Sequence, residues 1–277
     1  MPEHTATNSY RSLFISDLHL GSMHCDAKKL REFLTTNAAD TMFLVGDIFD
    51  LWSMRAGAKW PAEHSEIVRC LIAKMASGTR LILIPGNHDE ALLSFAKLCL
   101  PGLEVHREFE VETASGNRLL IVHGHEQDTF FGRTNVVVRG ACAVAQWVGG
   151  LAMALGLTGR AASAREATPT AGSKRGMRLT QGYLAWFEQT LVAEAHRRNV
   201  DGVVCGHSHA PVNRLLNGKH YLNCGDWVRN CTAIAETWSG ELQLLRWVPA
   251  QRSQEYSGAV RRPMVGAMPG LATARAP

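Results

Sequence analysis

No two of the seven cysteines in this 277-residue chain stand at a C-x-x-C spacing, and their odd number leaves no complete set of pairs. That argues against a disulfide framework and for reduced thiols in a cytosolic protein. Cys70, Cys99, Cys142 and Cys205 sit in apolar surroundings and read as small core residues. Charge imbalance is also slight: 29 Lys and Arg stand against 25 Asp and Glu, a net charge of +4. So small an excess, with aromatics at 7% and none interleaved among the cations, argues against a nucleic-acid surface. Residues 1–10 contain no apolar stretch, so no signal peptide is expected and the cytoplasm is the expected compartment. No internal repeat is evident. What the chain does have is apolar side chains, 46% of its residues, enough for a full core in one layered domain.

Five short polar blocks interrupt that apolar background: Asp17-Leu18-His19, Gly46-Asp47-Ile48-Phe49-Asp50, Gly86-Asn87-His88-Asp89, Val122-His123-Gly124-His125 and Gly206-His207-Ser208-His209. Each follows a short apolar, β-branched run, so the polar residues emerge where a buried strand ends. Ligands at the carboxyl ends of neighbouring strands converge on one crevice in layered α/β folds, whatever their separation in sequence. Any one block alone is weak, because turns after strands favour Asp, Asn and Gly for conformational reasons. Five in one chain supply carboxylate, carbonyl and imidazole donors for two metal ions. Two such ions about 3.5–4 Å apart can clamp a phosphoryl group with its attacking oxygen.

Strands are predicted near Leu13, Met42 and Leu81, over residues 104–113, 118–122 and 202–205, and in four further runs between residues 212 and 247. Helices are predicted over 27–37, 62–77, 91–98 and 179–198. In the second helix Ile67, Leu71 and Met75, with Ile72 one step round, form the stripe expected to face a sheet. Strand and helix alternate early and strands cluster late, so the expected fold class is α/β (α+β): two stacked mixed β-sheets flanked by helices. The expected organisation is a flexible residues 1–10, one catalytic domain over 11–248 with a helical insertion at about 126–186, and a disordered tail over 249–277, rich in Pro, Gly, Ala, Ser and Arg.

The blocks together resemble the pattern of the calcineurin-like metallophosphoesterase superfamily, in order, over roughly residues 11–247. The resemblance implies that Asp17, His19 and His209 hold one metal, that Asn87, His123 and His207 hold a second, and that Asp47 bridges them, with a hydroxide between the metals as nucleophile. It implies Mn²⁺, with Fe as the alternative. By the same resemblance His88 faces the leaving oxygen as proton donor or electrostatic stabiliser, and Asp50 orients its imidazole. A degenerate, catalytically silent scaffold that merely binds membranes or partners would not need a complete ligand inventory. His24, His64, His106, His196 and His220 have no ligand-like spacing and read as surface groups, and His125 stays outside the metal set. Trp52 reads equally as a stacking surface near the site and as apolar packing.

Between His123 and His207, residues 140–157 carry no formal charge, a length on the border of a membrane span. A true span would put His123 and His207 on opposite sides of a membrane, so the segment reads as an apolar helical insertion bent near Gly149 and Gly150. It is followed by Arg160, Arg165, Lys174, Arg175 and Arg178 against the single acid Glu166. An apolar stretch beside basic residues suits a substrate with acyl chains and phosphates, or peripheral contact with an anionic membrane on its inner face. The insertion, together with residues 221–228 and 231–233, resembles the UDP-2,3-diacylglucosamine diphosphatase group of lipid A synthesis. That resemblance implies hydrolysis of a nucleotide-linked diacyl sugar to UMP and a lipid monophosphate. The best-known branch of that group has Arg where this chain has His88, and Gly-Asp where it has Gly124-His125. Another phosphodiester or phosphomonoester is the alternative substrate; no protein partner is expected.

Overall fold

The computed structural model describes residues 8–96, 101–128 and 174–248, with residues 174–180 as backbone alone. The uncharged segment 140–157, Arg160, Arg165, Glu166, Cys99, Cys142 and the tail 249–277 lie outside the described residues. The chain divides into Met1–Arg246 and Trp247–Pro277, and every element below belongs to the first. In order these are β1 (Asn8–Ile15), α1 (Ala27–Thr36), β2 (Asn37–Val45), α2 (Leu51–Arg55), α3 (Ala62–Ala76), β3 (Arg80–Ile84), a 3₁₀ turn (Glu90–Phe95), β4 (Leu103–Val105), β5 (Phe109–Glu112), β6 (Arg118–Ile121), α4 (Lys174–Arg197), β7 (Gly202–Cys205), β8 (Val212–Leu216), β9 (Lys219–Asn223), β10 (Thr232–Glu236) and β11 (Leu242–Arg246).

Six strands form one sheet in the order β11-β10-β1-β2-β3-β4, and five form another in the order β5-β6-β7-β9-β8. Both are mixed. The pairs among β1, β2, β3 and β4 are parallel and β10 is antiparallel to β1 and β11. In the second sheet β6, β7 and β9 are parallel, with β5 and β8 antiparallel at the edges. The last four residues of β1, β2 and β3 are buried without alternation, as parallel strands covered on both faces require. Phe14, Phe43, Val45, Ile82, Ile84 and Ile234 of the first sheet meet Leu119, Ile121, Val204, Leu222 and Cys224 of the second, so the main core is the space between the sheets. Phe14 and Phe43 stack there with ring centroids 4.6 Å apart. A second core forms where Phe187, Leu191, Val192 and Ala195 of α4 cover Leu120, Val122, Val203 and Tyr221 on the outer face of the second sheet.

Several expectations shift. Residues 104–113 form two strands, because β4 pairs with β3 while β5 pairs with β6, and residues 106–108 carry the chain from one sheet to the other. Asn37 opens β2 instead of closing α1, and its side-chain amide donates back to the Phe33 carbonyl. The turn after His88 is 3₁₀ in type. In α3, Ile67 and Leu71 are buried but Ile72 is exposed, since one step round the helix leaves the buried stripe. His64 is buried rather than on the surface, and its Nδ1 accepts the Gly21 N–H at 2.9 Å. The five described cysteines are free; Cys205 is buried and Cys70 half-buried. Among the described residues no helix is long and apolar enough to cross a membrane.

Candidate metal centre

All five polar blocks begin where a buried strand stops: Asp17 and His19 after β1, Asp47 and Asp50 after β2, Asn87 and His88 after β3, His123 after β6, and His207 and His209 after β7. Backbone bonds lace these loops together. Asp17 N–H donates to the Gly46 carbonyl (3.0 Å), His19 N–H to the Asp47 carbonyl (2.9 Å), and Gly206 N–H to the His123 carbonyl (3.1 Å). Asp17, His19, Asp47, His207 and His209 all adopt left-handed φ values between 50° and 65°. Non-glycine residues rarely do so, and such strain persists where the surroundings over-determine it, as at functional sites. Two glycines make the close approach feasible. A Cβ on Gly46 (φ +81°) would lie 2.1 Å from His123 Nδ1, and one on Gly206 would lie 2.5 Å from Asp17 Oδ2.

The side chains gather in three overlapping groups around Asp17 and Asp47. Asp17, His19 and His209 present one donor atom each, all within 4.8 Å of one another, and the same holds for Asp17, Asp47 and His123 and for His19, Asp47 and His88. Asn87 Oδ1 lies 3.1 Å from His207 Nδ1, and His123 Nε2 lies 3.4 Å from Asp47 Oδ2. Three of the imidazoles have their outer nitrogen occupied: His123 Nδ1 is 2.9 Å from the Val45 carbonyl, His207 Nε2 is 3.0 Å from Asp128 Oδ2, and His209 Nδ1 is 3.5 Å from Asp226 Oδ2. Each inner nitrogen therefore faces the cluster, and it is a lone pair whenever its ring is neutral. Asp17 Oδ1 and His123 Nε2 are buried with no hydrogen-bond partner. Buried carboxylates and imidazoles turned on one another are costly unless protons or a cation lie among them, and mixed oxygen and nitrogen donors of this kind fit divalent metal ions.

Charge follows the same geometry. Burial opposes ionisation of Asp47, yet His123, His88 and His19 hold its carboxyl far below the usual range. Burial likewise opposes protonation of His123 and His209, but Asp47 lifts the first to about 9 and Asp17 with Asp226 lifts the second to about 10. In the metal-free protein, then, protons on these imidazoles neutralise the carboxylates. His88 is raised as well: burial lowers it, while Asp50 and Asp47 outweigh burial. His125 goes the other way, pressed down to about 3 by burial and by repulsion from His123 and His207.

Asp50 serves twice. Its Oδ1 lies 3.0 Å from His88 Nδ1, and the same carboxylate caps α2 by accepting from Ser53 N (2.9 Å) and Ser53 Oγ (2.7 Å). Trp52, on the first turn of α2, stacks on His88 with centroids 4.0 Å apart, so His88 is fixed by edge and by face. A cleft of about 280 Å³ lined by Trp52, Arg55, Asn87, His88 and Glu90 opens beside it.

Sequence reasoning gave no role to Asp89 or Asp128 and read Asp226 equally as a turn residue. Asp89, buried, accepts from the N–H groups of Asp47, Ile48, Phe49 and Gly86 at 2.7–3.3 Å and so holds two ligand loops at once. Its position within the Gly86-Asn87-His88-Asp89 block was the available signal. Asp226 faces His209 and accepts from the backbone of Val228, Arg229 and Asn230, while its neighbour Trp227 packs in the core against Phe33. Asp128 had no signal, since its partners His207 and Tyr183 are 79 and 55 residues away.

Two layered mixed sheets with a carboxylate-imidazole crevice at their strand ends define a metal-dependent phosphoesterase, and the chain belongs to the calcineurin-like phosphoesterase family, which matches residues 10–211. Among its curated relatives, UDP-2,3-diacylglucosamine hydrolase of Shewanella sp. (strain W3-18-1) is 25% identical over 87% of this chain and 99% of its own length. The protein of the same description from Salmonella agona (strain SL483) is 28% identical over 74% and 85%. Of solved structures, an archaeal phosphodiesterase overlaps with a TM-score of 0.43 at 14% identity, covering 85% of this chain and 98% of that one. Vps29 of Chaetomium thermophilum gives 0.40 at 12%, covering 84% and 92%.

Proposed function

We propose that this protein is a two-metal phosphohydrolase that cleaves the pyrophosphate of a lipid-linked nucleotide, UDP-2,3-diacylglucosamine or a close analogue, to UMP and a lipid monophosphate. The observation that carries the substrate is the span of the match: relatives described as acting on UDP-2,3-diacylglucosamine align over nearly their whole length. The assignment of donors follows the family resemblance: Asp17, His19 and His209, whose donor atoms lie within 4.8 Å of one another, would hold one metal, Asn87, His123 and His207 would hold the other, and Asp47 would bridge them. Mixed oxygen and imidazole donors suit Mn²⁺, with Fe the alternative. Divalent cations at such a site supply charge neutralisation on phosphoryl oxygens and a nucleophile available at neutral pH.

The chain's own residues do the rest. His88, its Nδ1 turned to Asp50 and its ring against Trp52, holds a proton at Nε2 on the cluster side, 3.9 Å from Asp47 Oδ2, where it can pass to the leaving oxygen. Asp50 and Asp47, outweighing burial, raise His88 and so favour its doubly protonated form, the one that carries a proton on Nε2 as well as on Nδ1. The backbone laced around Asp17 and Asp47 fixes both carboxylates before substrate arrives, so little reorganisation remains for the reaction. A diacyl substrate resides in a bilayer, so the enzyme acts at a membrane surface; free cysteines fit the cytoplasmic face.

The test is Mn²⁺-dependent release of UMP from UDP-2,3-diacylglucosamine in detergent micelles, beside a soluble aryl phosphodiester and a short single-stranded DNA. UMP release at a rate well above the aryl ester is expected. Cleavage of the aryl ester alone keeps the metal centre and overturns the substrate.

A further inference from the structure

His207 is held from both sides. Its Nδ1 faces Asn87 Oδ1 at 3.1 Å, and its Nε2 meets Asp128 Oδ2 at 3.0 Å. The Asp128 side chain is 1% exposed, and the same oxygen accepts the Tyr183 hydroxyl at 2.7 Å. Tyr183 and Phe187 lie one turn apart on α4, and the Phe187 ring stands 5.7 Å from that of His207. An ionised carboxylate only accepts, so the proton of a neutral His207 sits on Nε2 and the lone pair on Nδ1.

We propose that Asp128 is a positioning residue for His207 that selects the tautomer able to bind a cation, and that Tyr183 in turn fixes Asp128. The inference rests on the reading of His207 as a metal ligand. Asn87 Oδ1 makes the selection necessary. It is an acceptor aimed at Nδ1, so without Asp128 the imidazole gains by moving its proton to Nδ1 and bonding Asn87 directly. Two ligands of one cation would then satisfy each other and shut the position that the cation takes. With Asp128 in place, the Nε2 proton is bound to a carboxylate, and the two inner acceptors face each other with nothing to gain but a cation. A carboxylate behind a ligating imidazole also raises its basicity, and losing such a partner typically costs about 10–100-fold in metal affinity. His209 has its own carboxylate in Asp226, so removing Asp128 affects one of the two cations and spares the other.

The experiment is calorimetric titration of Mn²⁺ into full-length protein stripped by chelator, with the melting temperature of the stripped protein recorded in parallel. Wild type, Asp128→Ala, Asp128→Asn, Tyr183→Phe and His207→Ala are compared. Asp128→Ala is expected to show one site at wild-type affinity and one weakened about 10–100-fold. Asp128→Asn, which keeps a neutral acceptor, should recover part of that loss, and Tyr183→Phe should weaken the same site less. Equal weakening of both sites, or two sites at full affinity in Asp128→Ala, overturns the inference. If Asp128→Ala does not fold, unchanged binding in both Asp128→Asn and Tyr183→Phe overturns it equally. Two full-affinity sites in His207→Ala would instead remove the ligand reading itself, which separates the two failures.

Discussion

At the scale of the residue, His88 and Asp47 should separate chemistry from binding. His88→Ala removes the proposed proton donor and leaves every proposed metal ligand in place, so bound Mn²⁺ should stay at wild-type stoichiometry while kcat falls by about 10²–10⁴. Asp47→Ala removes the carboxylate at the centre of two of the three donor clusters, so metal content and turnover should fall together with far-UV circular dichroism unchanged. An active Asp47→Ala protein would overturn the bridging role. The imidazoles give a pH dependence whose sign is fixed by their shifts. Protonated His123 and His209 are stabilised in the metal-free fold, lifted to about 9 and about 10 from an ordinary 6.5. Their contribution is fully present below about 6.5 and is lost as pH rises through those values. Metal must displace the same protons, so its affinity climbs over the same range. The melting temperature of stripped protein should therefore fall between pH 7 and 10, while the increment on adding Mn²⁺ grows. An increment that shrinks with pH would contradict the assignment.

Elements matter here mainly for where they stop. β1, β2 and β3 end in buried parallel register; backbone bonds join the loops after β1 and β2, and Asp89 ties the loop after β2 to the loop after β3. Asp89→Ala leaves up to four N–H groups without an acceptor, an expected loss of about 3 kcal/mol or more in urea unfolding, with metal affinity falling in step. Strand ends and the polar blocks that gather in the crevice were legible in the sequence because each apolar run stops at a polar block, a local pattern. The support behind them was not. Asp128 and Asp226 reach their imidazoles only through the stacking of α4 and the 226–230 turn, and His64 is buried by a contact with Gly21, none of which leaves a periodic trace. The split of residues 104–113 between two sheets was equally invisible, because edge strands carry similar patterns whichever sheet they join. Trp52 had two readings in sequence; the geometry shows it stacked on His88.

For the whole molecule, the donors come from the ends of β1, β2 and β3 in one sheet and of β6 and β7 in the other. The apolar layer around Phe14 and Phe43 also joins the sheets, and Phe43→Ala there should cost about 3–5 kcal/mol by calorimetry or denaturant. Cations bound across the crevice favour the folded state over the unfolded one by mass action, about 4 kcal/mol at a thousandfold excess over Kd. A fastening that depends on a dissolved ion makes the protein's lifetime answer to nutrition. In a cell short of the metal, chains should be cleared by proteases sooner, so that abundance and turnover rate decline together, and a pulse of protease with and without chelator would show the difference in half-life.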